Sequence, residues 1–459
     1  MKLTIHGGKD EIGGNKILVE HKGTKIFLDF GMSFKQTGMY FSEFLQPRKC
    51  AGLADFFELS ILPDIQGIYR EDYLKHMGRG KETRSVDGVF LSHAHADHAQ
   101  HIHFLRNDIP IFCTDATKII LETLEETGIG TFSDFVTYCE AFAFYTNKKG
   151  ELSRVTRKNK EYVCDREFNV MMPGKKVKIG SMEIEMIPVD HSLPGACGFI
   201  VYTDEGNLVY TGDIRFHGSH SELSRKFVEK AFSVKPKLLI TEGTRINSTK
   251  KDSEDGVKKE ISEFMSKAKG LVFVEHPVRD LDRLNSILIA ANENKRELVV
   301  NTKLAYLIEK LGKLSPFSLV KVKIFVPRKS WGLIDKDVEQ KLVEGDYETW
   351  ERDYIYRKNC VTYREIQKHP DKYAVSMNLF NINQLVDINP SSDSIWIKSN
   401  CEPFCEEMEL DEERKKNWLN HYGIKQHQAH ASGHANGEEL KEMWKDINAK
   451  EVVVVHRDG

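Results

Sequence analysis

The chain has 459 residues, a formal net charge of −3 and 40% hydrophobic residues. This length exceeds one ordinary hydrophobic core, so we expect two domains. The charge balance excludes a generally basic protein that coats DNA, although it allows a nuclease with a locally basic cleft. No apolar signal segment opens the chain and no uncharged apolar run is long enough to span a bilayer, so we expect a cytoplasmic protein without membrane contact.

The first half of the chain is dominated by predicted strands. They cover residues 16–20, 25–30, 86–91, 175–187, 198–203, 207–210 and 238–241, which are short runs rich in apolar and β-branched residues. The helical spacing of its apolar residues predicts a helix at 116–127. Residues 35–85 show no strong periodicity and are expected to be an insertion or a long loop, and residues 145–167 are expected to be an exposed excursion.

The second half alternates helices with strands. Predicted helices at 256–268, 280–294 and 438–448 alternate with predicted strands at 271–275, 298–301 and 452–455. Such alternation is typical of a parallel α/β layer. The chain therefore combines a β-rich first part with a later α/β part.

One short segment concentrates side chains that bind metals. His93, His95, Asp97 and His98 lie within six residues, directly after the apolar run that ends at Leu91. Alternate residues of a strand face opposite sides, so a loop leaving the strand end is needed to aim all four side chains one way. Imidazole and carboxylate groups without thiolates suit Zn²⁺, with Mn²⁺ as the alternative. A His-rich surface loop is the less specific interpretation.

Three further candidate ligands follow predicted strands. His191 comes after the strand that ends at 187, Asp213 after the strand that ends at 210, and His456 after the last strand. His93, His95 and His191 are assigned to one metal ion. Asp97, His98 and His456 are assigned to a second, with Asp213 bridging the two. The sequence thus predicts two Zn²⁺ ions, which together can generate hydroxide and stabilise a phosphorane-like transition state.

Two residues are expected to serve catalysis directly. Glu242 follows a buried strand, and His434 lies in the segment His-Ala-Ser-Gly-His at 430–434. Hydrolysis of a phosphodiester needs an acid that protonates the leaving oxygen, and an imidazole suits this, so His434 is the predicted acid and Glu242 the group that orients it. Asp29 is expected to accept the free N–H of a ligand imidazole. A turn cap at Glu242 and a solvated loop at 430–434 are the alternatives.

These motifs resemble a known family. Residues 93–98 with His191 and Asp213 resemble the metallo-β-lactamase signature, Glu242, His434 and His456 resemble the three extra motifs of its β-CASP branch, and residues 7–15, Gly-Gly-Lys-Asp-Glu-Ile-Gly-Gly-Asn, resemble the opening of the ribonuclease J family. The resemblance implies an α/β fold, in which a metallo-β-lactamase αββα sandwich carries an inserted α/β β-CASP domain. It implies a sandwich formed by residues 1–244 and 401–459, with the β-CASP domain at 245–400. In length the chain is similar to compact archaeal-type members that lack a further C-terminal domain.

The resemblance also implies an activity. It points to a metal-dependent ribonuclease that yields 5′-phosphate products, mainly a 5′–3′ exonuclease, with endonuclease activity left open. Asp97 would then serve catalysis as well as metal binding, and Ser432 and His430 would hold the phosphate beside the scissile one. A histidine at the position of His456 favours RNA over DNA. The expected partner is single-stranded RNA, and a homodimer is left open.

Two other functions remain as alternatives. One is a small-ester or thioester metallo-hydrolase of the same superfamily, which would leave Glu242, His434 and the large insertion without a task. The other is a non-catalytic subunit of an RNA-processing complex, but such subunits usually lose metal ligands and this chain keeps them. Analysis of bound metal would separate the last alternative from the enzymes.

Overall fold

The computed structural model describes residues 1–42, 44–128, 132–403 and 406–457. Three main β-sheets organise this part of the chain. Two of them share one hydrophobic core, and the third is formed by strands between residues 272 and 428. Within these ranges, none of the helices combines the length and the apolar character needed to cross a bilayer.

The first sheet has six strands. Their spatial order is Lys2–Gly7, Lys16–His21, Thr24–Leu28, Gly88–Phe90, Ile111–Cys113 and Phe168–Val170. The first three pair in antiparallel fashion, and the remaining pairs are parallel. The region predicted as an exposed excursion, 145–167, takes part with the residues just before it in two small ladders, which pair Thr137–Cys139 with Val163–Asp165 and Phe144–Thr146 with Leu152–Arg154.

The second sheet also has six strands. Their spatial order is Lys176–Ile179, Met182–Pro188, Cys197–Tyr202, Leu208–Tyr210, Leu238–Glu242 and Glu451–Val455. The last two pairings are parallel, so these strands end at the same edge of the sheet. The run predicted as one strand at 175–187 is a hairpin, because Gly180 adopts φ +50°, a conformation that turns the chain.

The two sheets pack face to face and are covered by helices on the outside. Ile17, Ile26 and Phe90 of the first sheet meet Phe199 and Ile240 of the second in one buried core. The outer face of the second sheet packs against helices Ser221–Ser233 and Gly437–Ile447. Helices Ala96–Ala99 and Asp115–Thr127 lie over the first. This arrangement is an αββα sandwich, as the family resemblance implied.

Residues 35–85 form short helices that complete the core on the first sheet. The helices are Phe34–Tyr40, Ala54–Glu58 and Glu71–His76. Phe56, Tyr69 and Leu74 are buried against this sheet, so much of the segment belongs to the core and is not a loop. Helix Phe34–Tyr40 is different because it buries none of its side chains.

The third sheet is wholly parallel. Its spatial order is Cys360–Val361, Lys323–Phe325, Glu297–Asn301, Tyr373–Ser376, Val272–Glu275, Ile395–Lys398 and Lys425–Gln428. The accompanying helices are Glu254–Lys267, Leu281–Glu293, Thr302–Leu311, Gln340–Gly345, Arg352–Ile355, Tyr363–Lys368, Leu385–Ile388 and Glu406–Tyr422. The boundary predicted at residue 400 falls inside the elements of this sheet, because the chain adds an edge strand at Lys425–Gln428 before it returns to the sandwich.

Candidate metal centre

The predicted ligands follow strands whose ends meet at one edge of the sandwich. The loop 93–98 comes after strand Gly88–Phe90 of the first sheet. His191, Asp213 and His456 come after three strands of the second sheet. Because the two sheets pack face to face, the loops at this edge reach one another across the sandwich.

Three imidazoles and one carboxylate form the first group of ligands. Nδ1 of His95 lies 2.9 Å from Nε2 of His93 and 3.2 Å from Nε2 of His191. Oδ2 of Asp213 lies 3.7 Å from Nε2 of both His93 and His191. These four atoms lie within 4.8 Å of one another, which suits a single cation between them.

A second group of ligands shares the same aspartate. Nε2 of His456 lies 3.0 Å from Oδ2 of Asp97. Nε2 of His98 lies 3.2 Å from Oδ2 of Asp213 and 3.9 Å from Oδ2 of Asp97. Asp213 is therefore placed between the two groups, as a bridging carboxylate would be.

The donor atoms of this cluster are open to a cation. Neither carboxylate oxygen of buried Asp213, nor Nε2 of His98, has a hydrogen-bond partner in the described chain. Unpaired buried acceptors are costly unless something binds them. Burial lowers the pKa of His93 and His191, and it lowers that of His95 to about 3, which leaves neutral imidazoles with free lone pairs. This arrangement fits a site for divalent metal ions.

The carboxylate of Asp29 contacts one of the candidate ligand imidazoles. Its Oδ2 lies 2.7 Å from Nδ1 of His98 and also accepts hydrogen bonds from Tyr210 Oη and Ser92 Oγ. A carboxylate in this position fixes the tautomer so that Nε2 faces the metal. Asp29 adopts the left-handed conformation, with φ +59°, at the end of its strand. Sequence reasoning missed Tyr210 and Ser92, which hold the carboxylate in place.

The glycine-rich opening segment gives room for the Asp97 loop. Gly13 has φ +81°, and a Cβ there would lie 2.6 Å from Cβ of Asp97. A Cβ on Gly31 would lie 1.7 Å from the backbone oxygen of Asp97. Backbone N–H groups of Gly14 and Asn15 donate to that same oxygen, at 3.0 and 3.1 Å. The opening segment is thus a scaffold for the metal loop.

His434 and Glu242 form a hydrogen-bonded pair beside the metal ligands. Nδ1 of His434 lies 2.9 Å from Oε2 of Glu242, and 3.9 Å from Oδ2 of Asp213. Burial alone would lower the pKa of His434, but the charges of Glu242 and Asp213 raise it to about 9. The other oxygen of Glu242 accepts the backbone N–H of Ile214 at 2.7 Å, which fixes the carboxylate. The His434 side chain keeps 21% of its surface exposed, so its second nitrogen is reachable.

His456 is held firmly although it follows the last strand. Its backbone N–H donates to the oxygen of Gly8 at 2.7 Å, and its own oxygen accepts from the Gly243 N–H at 3.3 Å. Thr244 Oγ1 lies 2.8 Å from Nδ1 of the imidazole. Main-chain contacts from two distant segments therefore fix this candidate ligand in place.

Ser432 and His430 lie in the same loop as His434. Ser432 Oγ accepts the backbone N–H of His434 at 3.2 Å, and His430 Nδ1 lies 3.3 Å from Nη1 of Arg283. Gly433 is needed for close packing, because a Cβ there would lie 2.6 Å from Ser192 Oγ. Arg283 was missed, because only the fold brings it to this loop.

Helix-covered sheets that deliver imidazoles and carboxylates to one shared edge characterise the metallo-β-lactamase fold, and this chain has that fold. Residues 63–251 match the family described as the beta-lactamase superfamily domain. A solved structure titled as a protein of unknown function from Enterococcus faecalis V583 superposes with a TM-score of 0.73 and 21% identity, covering 99% of this chain and 94% of that one.

Among known proteins, the chain is similar to ribonuclease J. It is 25% identical to ribonuclease J of Pyrococcus abyssi over 65% of this chain and 58% of that protein. It is 27% identical to ribonuclease J of Mycobacterium tuberculosis over 47% of this chain and 28% of that protein. The matched regions thus span less than two thirds of the length of these relatives.

Proposed function

We propose that this protein is a metal-dependent ribonuclease of the β-CASP type, which holds two Zn²⁺ ions, or Mn²⁺, and hydrolyses single-stranded RNA to 5′-phosphate products. The observation that carries the proposal is the pair His434–Glu242 beside a cluster of seven candidate ligands. A small-ester hydrolase would need the ligands but not this acid. The similarity to ribonuclease J supports RNA as the substrate.

The ligand roles follow from the two groups of side chains. His93, His95 and His191 would hold one ion, Asp97, His98 and His456 the other, and Asp213 would contact both. When bound, such ions act as Lewis acids that stabilise negative charge on phosphate oxygens and favour the ionisation of water. Asp97 thus contributes to catalysis as a ligand.

His434 is the proposed general acid. Its pKa of about 9 keeps the imidazole protonated at neutral pH, with Nδ1–H donated to Glu242 and Nε2–H available. Water adds an oxygen to the phosphorus, the bond between phosphorus and the 3′ oxygen breaks, and Nε2 transfers its proton to that oxygen. The products are a 3′-hydroxyl and a 5′-phosphate, which is the outcome proposed for this enzyme.

Ser432 and His430 are proposed to bind the phosphate next to the scissile one. They share the short loop of the acid and lie where the third sheet approaches the sandwich, so one strand of RNA could contact all three side chains. Binding of a terminal 5′-phosphate there would favour 5′–3′ exonuclease activity. Endonuclease activity remains the alternative direction of attack.

The test is a product ladder from end-labelled, single-stranded RNA that carries a 5′-triphosphate, 5′-phosphate or 5′-hydroxyl, incubated with Zn²⁺ or Mn²⁺. An exonuclease releases a labelled mononucleotide from 5′-labelled RNA, whereas an endonuclease gives labelled intermediates. Asp97→Ala should abolish cleavage, and Asp204→Asn, at a largely exposed carboxylate far from the ligands, should not. Absence of cleavage by the metal-loaded wild type, or undiminished cleavage by Asp97→Ala, would overturn the proposal.

A further inference from the structure

One arginine near the candidate ligands has no hydrogen-bond or ion-pair partner in the part of the chain that the structure describes. Arg279 lies between strand Val272–Glu275 and helix Leu281–Glu293 of the third sheet, and its side chain is partly exposed. Within the described ranges its guanidinium makes neither a hydrogen bond nor an ion pair. A guanidinium has five N–H donors, so leaving all of them without a partner at a half-buried position is unusual.

The loop of Arg279 is fixed against the metal centre from two sides. Arg283, in the first turn of the following helix, donates to the oxygen of Ala431 at 3.0 Å, in the loop of His434. Asp282 Oδ2 lies 4.0 Å from Arg215, and Arg215 donates to Asp190 at 2.9 Å, directly before the ligand His191. The helix that follows Arg279 is therefore held against the loops of His191 and His434, and Arg279 lies two residues before its first residue.

The charge of Arg279 acts on two of the candidate ligands. Burial lowers the pKa of Arg279 and the carboxylate of Asp97 raises it, while the guanidinium in turn contributes to the lowered pKa of His95. Neighbouring arginines differ in that they are satisfied or inaccessible. Arg283 pairs with Glu254 at 2.7 Å, and Arg215 is fully buried behind Asp190. Only Arg279 of these three can reach a bound molecule.

We propose that Arg279 is a substrate-binding residue whose guanidinium contacts a backbone phosphate of the RNA adjacent to the scissile bond. A planar guanidinium binds a phosphate through two parallel N–H···O hydrogen bonds, which orients the strand as well as attracting it. The contact reaches the substrate from the third sheet, opposite the metal ligands. This inference rests on the proposed function, because it assumes that RNA binds at the candidate metal centre.

The first experiment measures binding to the metal-loaded protein by fluorescence anisotropy, with a single-stranded 2′-O-methyl RNA that resists cleavage. Arg279→Gln should weaken binding about tenfold, the usual size for one charged hydrogen-bonding contact. The dependence of log affinity on log salt should become shallower by about 0.7, the value for one phosphate contact to a single strand. Arg279→Lys should keep the salt dependence and lose part of the affinity, because it keeps the charge without the planar fork.

A second experiment identifies the contacted phosphate. Replacing one phosphate at a time by a neutral methylphosphonate should weaken binding to the wild type at several positions. At the position that Arg279 contacts, the effects of methylphosphonate and of Arg279→Gln should not add, since each removes the same interaction. At the other positions the two effects should add.

Two variants serve as controls. Val278→Ala changes an exposed neighbour in the same loop, and Arg328→Gln removes an exposed arginine that pairs with Asp387 on the same sheet. Both should bind as the wild type does, and metal content should be equal in all proteins. If Arg279→Gln keeps the wild-type affinity and salt dependence while the wild type cleaves RNA, this inference is wrong and the proposed function stands. If it loses metal instead, Arg279 is a partner of Asp97 only. A wild type that neither binds nor cleaves RNA overturns both.

Discussion

The sandwich and the third sheet both direct strand ends towards the candidate metal centre, but the side chains they present there differ in charge. On the sandwich side, strand ends present imidazoles and the carboxylates of Asp97, Asp213 and Glu242, nearly all buried. On the side of the third sheet, the carboxyl ends of parallel strands lead to Arg279, Arg283 and the loop of His430. Strand ends are a natural place for such side chains, because loops there can vary without disturbing the core.

In the proposed ribonuclease, the two sides would have different tasks. The sandwich side has buried acceptors without partners, which call for cations. On the side of the third sheet, the guanidinium of Arg279 has no acceptor among the described residues, which would suit an anion. A phosphate placed between them would satisfy both sides. His434 lies where the sandwich and the third sheet meet. Its loop follows the last strand of the third sheet, and its imidazole is hydrogen-bonded to Glu242 of the sandwich.

The largest effect is expected when the carboxylate that both ligand groups share, Asp213, is removed. Asp213→Asn should lower metal-dependent cleavage by at least about 10³-fold, because both ligand groups lose a charged member and even outer-shell changes typically cost 10–100-fold. Metal content, measured by plasma mass spectrometry after dialysis, should fall from two ions per chain. Asp204→Asn is the matched control at an exposed aspartate. Two tightly bound ions in Asp213→Asn would contradict a bridging role.

The second prediction concerns His434, which lies where the sandwich meets the third sheet. His434→Gln should lower kcat by about 10²–10⁴-fold, the usual contribution of a general acid, while metal content and KM change little. His421→Gln, at an exposed histidine of helix Glu406–Tyr422, should leave kcat unchanged. Single-turnover cleavage of end-labelled RNA gives the rate of the chemical step. A loss of metal that accounts for the loss of rate would show that His434 is a ligand.

The third prediction concerns Asp29 and asks how far metal affinity depends on the hydrogen bonds that orient the candidate ligands. Asp29→Asn removes the charged acceptor of the His98 Nδ1–H and should weaken metal affinity about 10–100-fold. Asparagine tolerates the left-handed backbone at this position, so the fold should survive. Asp10→Asn is a close control, because Asp10 is also left-handed, with φ +57°, but exposed. Competition with a chromogenic chelator measures the affinity. An unchanged value would restrict Asp29 to a structural role.

The candidate ligands of the sandwich could be predicted from the sequence, because they lie close together in the chain or directly follow recognisable strands. His93 to His98 stand in one run, and His191, Asp213 and His456 each follow an apolar strand. The structure brings all seven together. The same logic predicted Asp29 as the acceptor for a ligand imidazole.

The arginines on the side of the third sheet could not be predicted in the same way. Arg279 and Arg283 lie in an ordinary loop and helix start, and only long-range folding brings them to residues 95–97 and 430–431. The edge strand Lys425–Gln428 was missed because it is polar and mostly exposed, so it lacks the alternation that marks a strand. The boundary predicted at residue 400 therefore lies before the last strand of the third sheet. The helices within 35–85 are too short to show a helical period.

The smallest expected effect concerns Lys16, a buried lysine of the sandwich that is not among the candidate ligands. Lys16 is almost fully buried in the sandwich, its Nζ lies 3.4 Å from the Gly14 oxygen, and burial lowers its pKa to about 7. Between pH 7 and the unfolded value near 10.5 the unfolded chain binds more protons, so this group makes the fold more stable as pH rises. Lys16→Met should be more stable than the wild type at pH 6, and the difference should narrow by on the order of 3–4 kcal/mol towards pH 10. Denaturant melts at both pH values measure this, with exposed Lys2→Met as the control. A difference that does not change with pH would mean that Lys16 is charged in the fold.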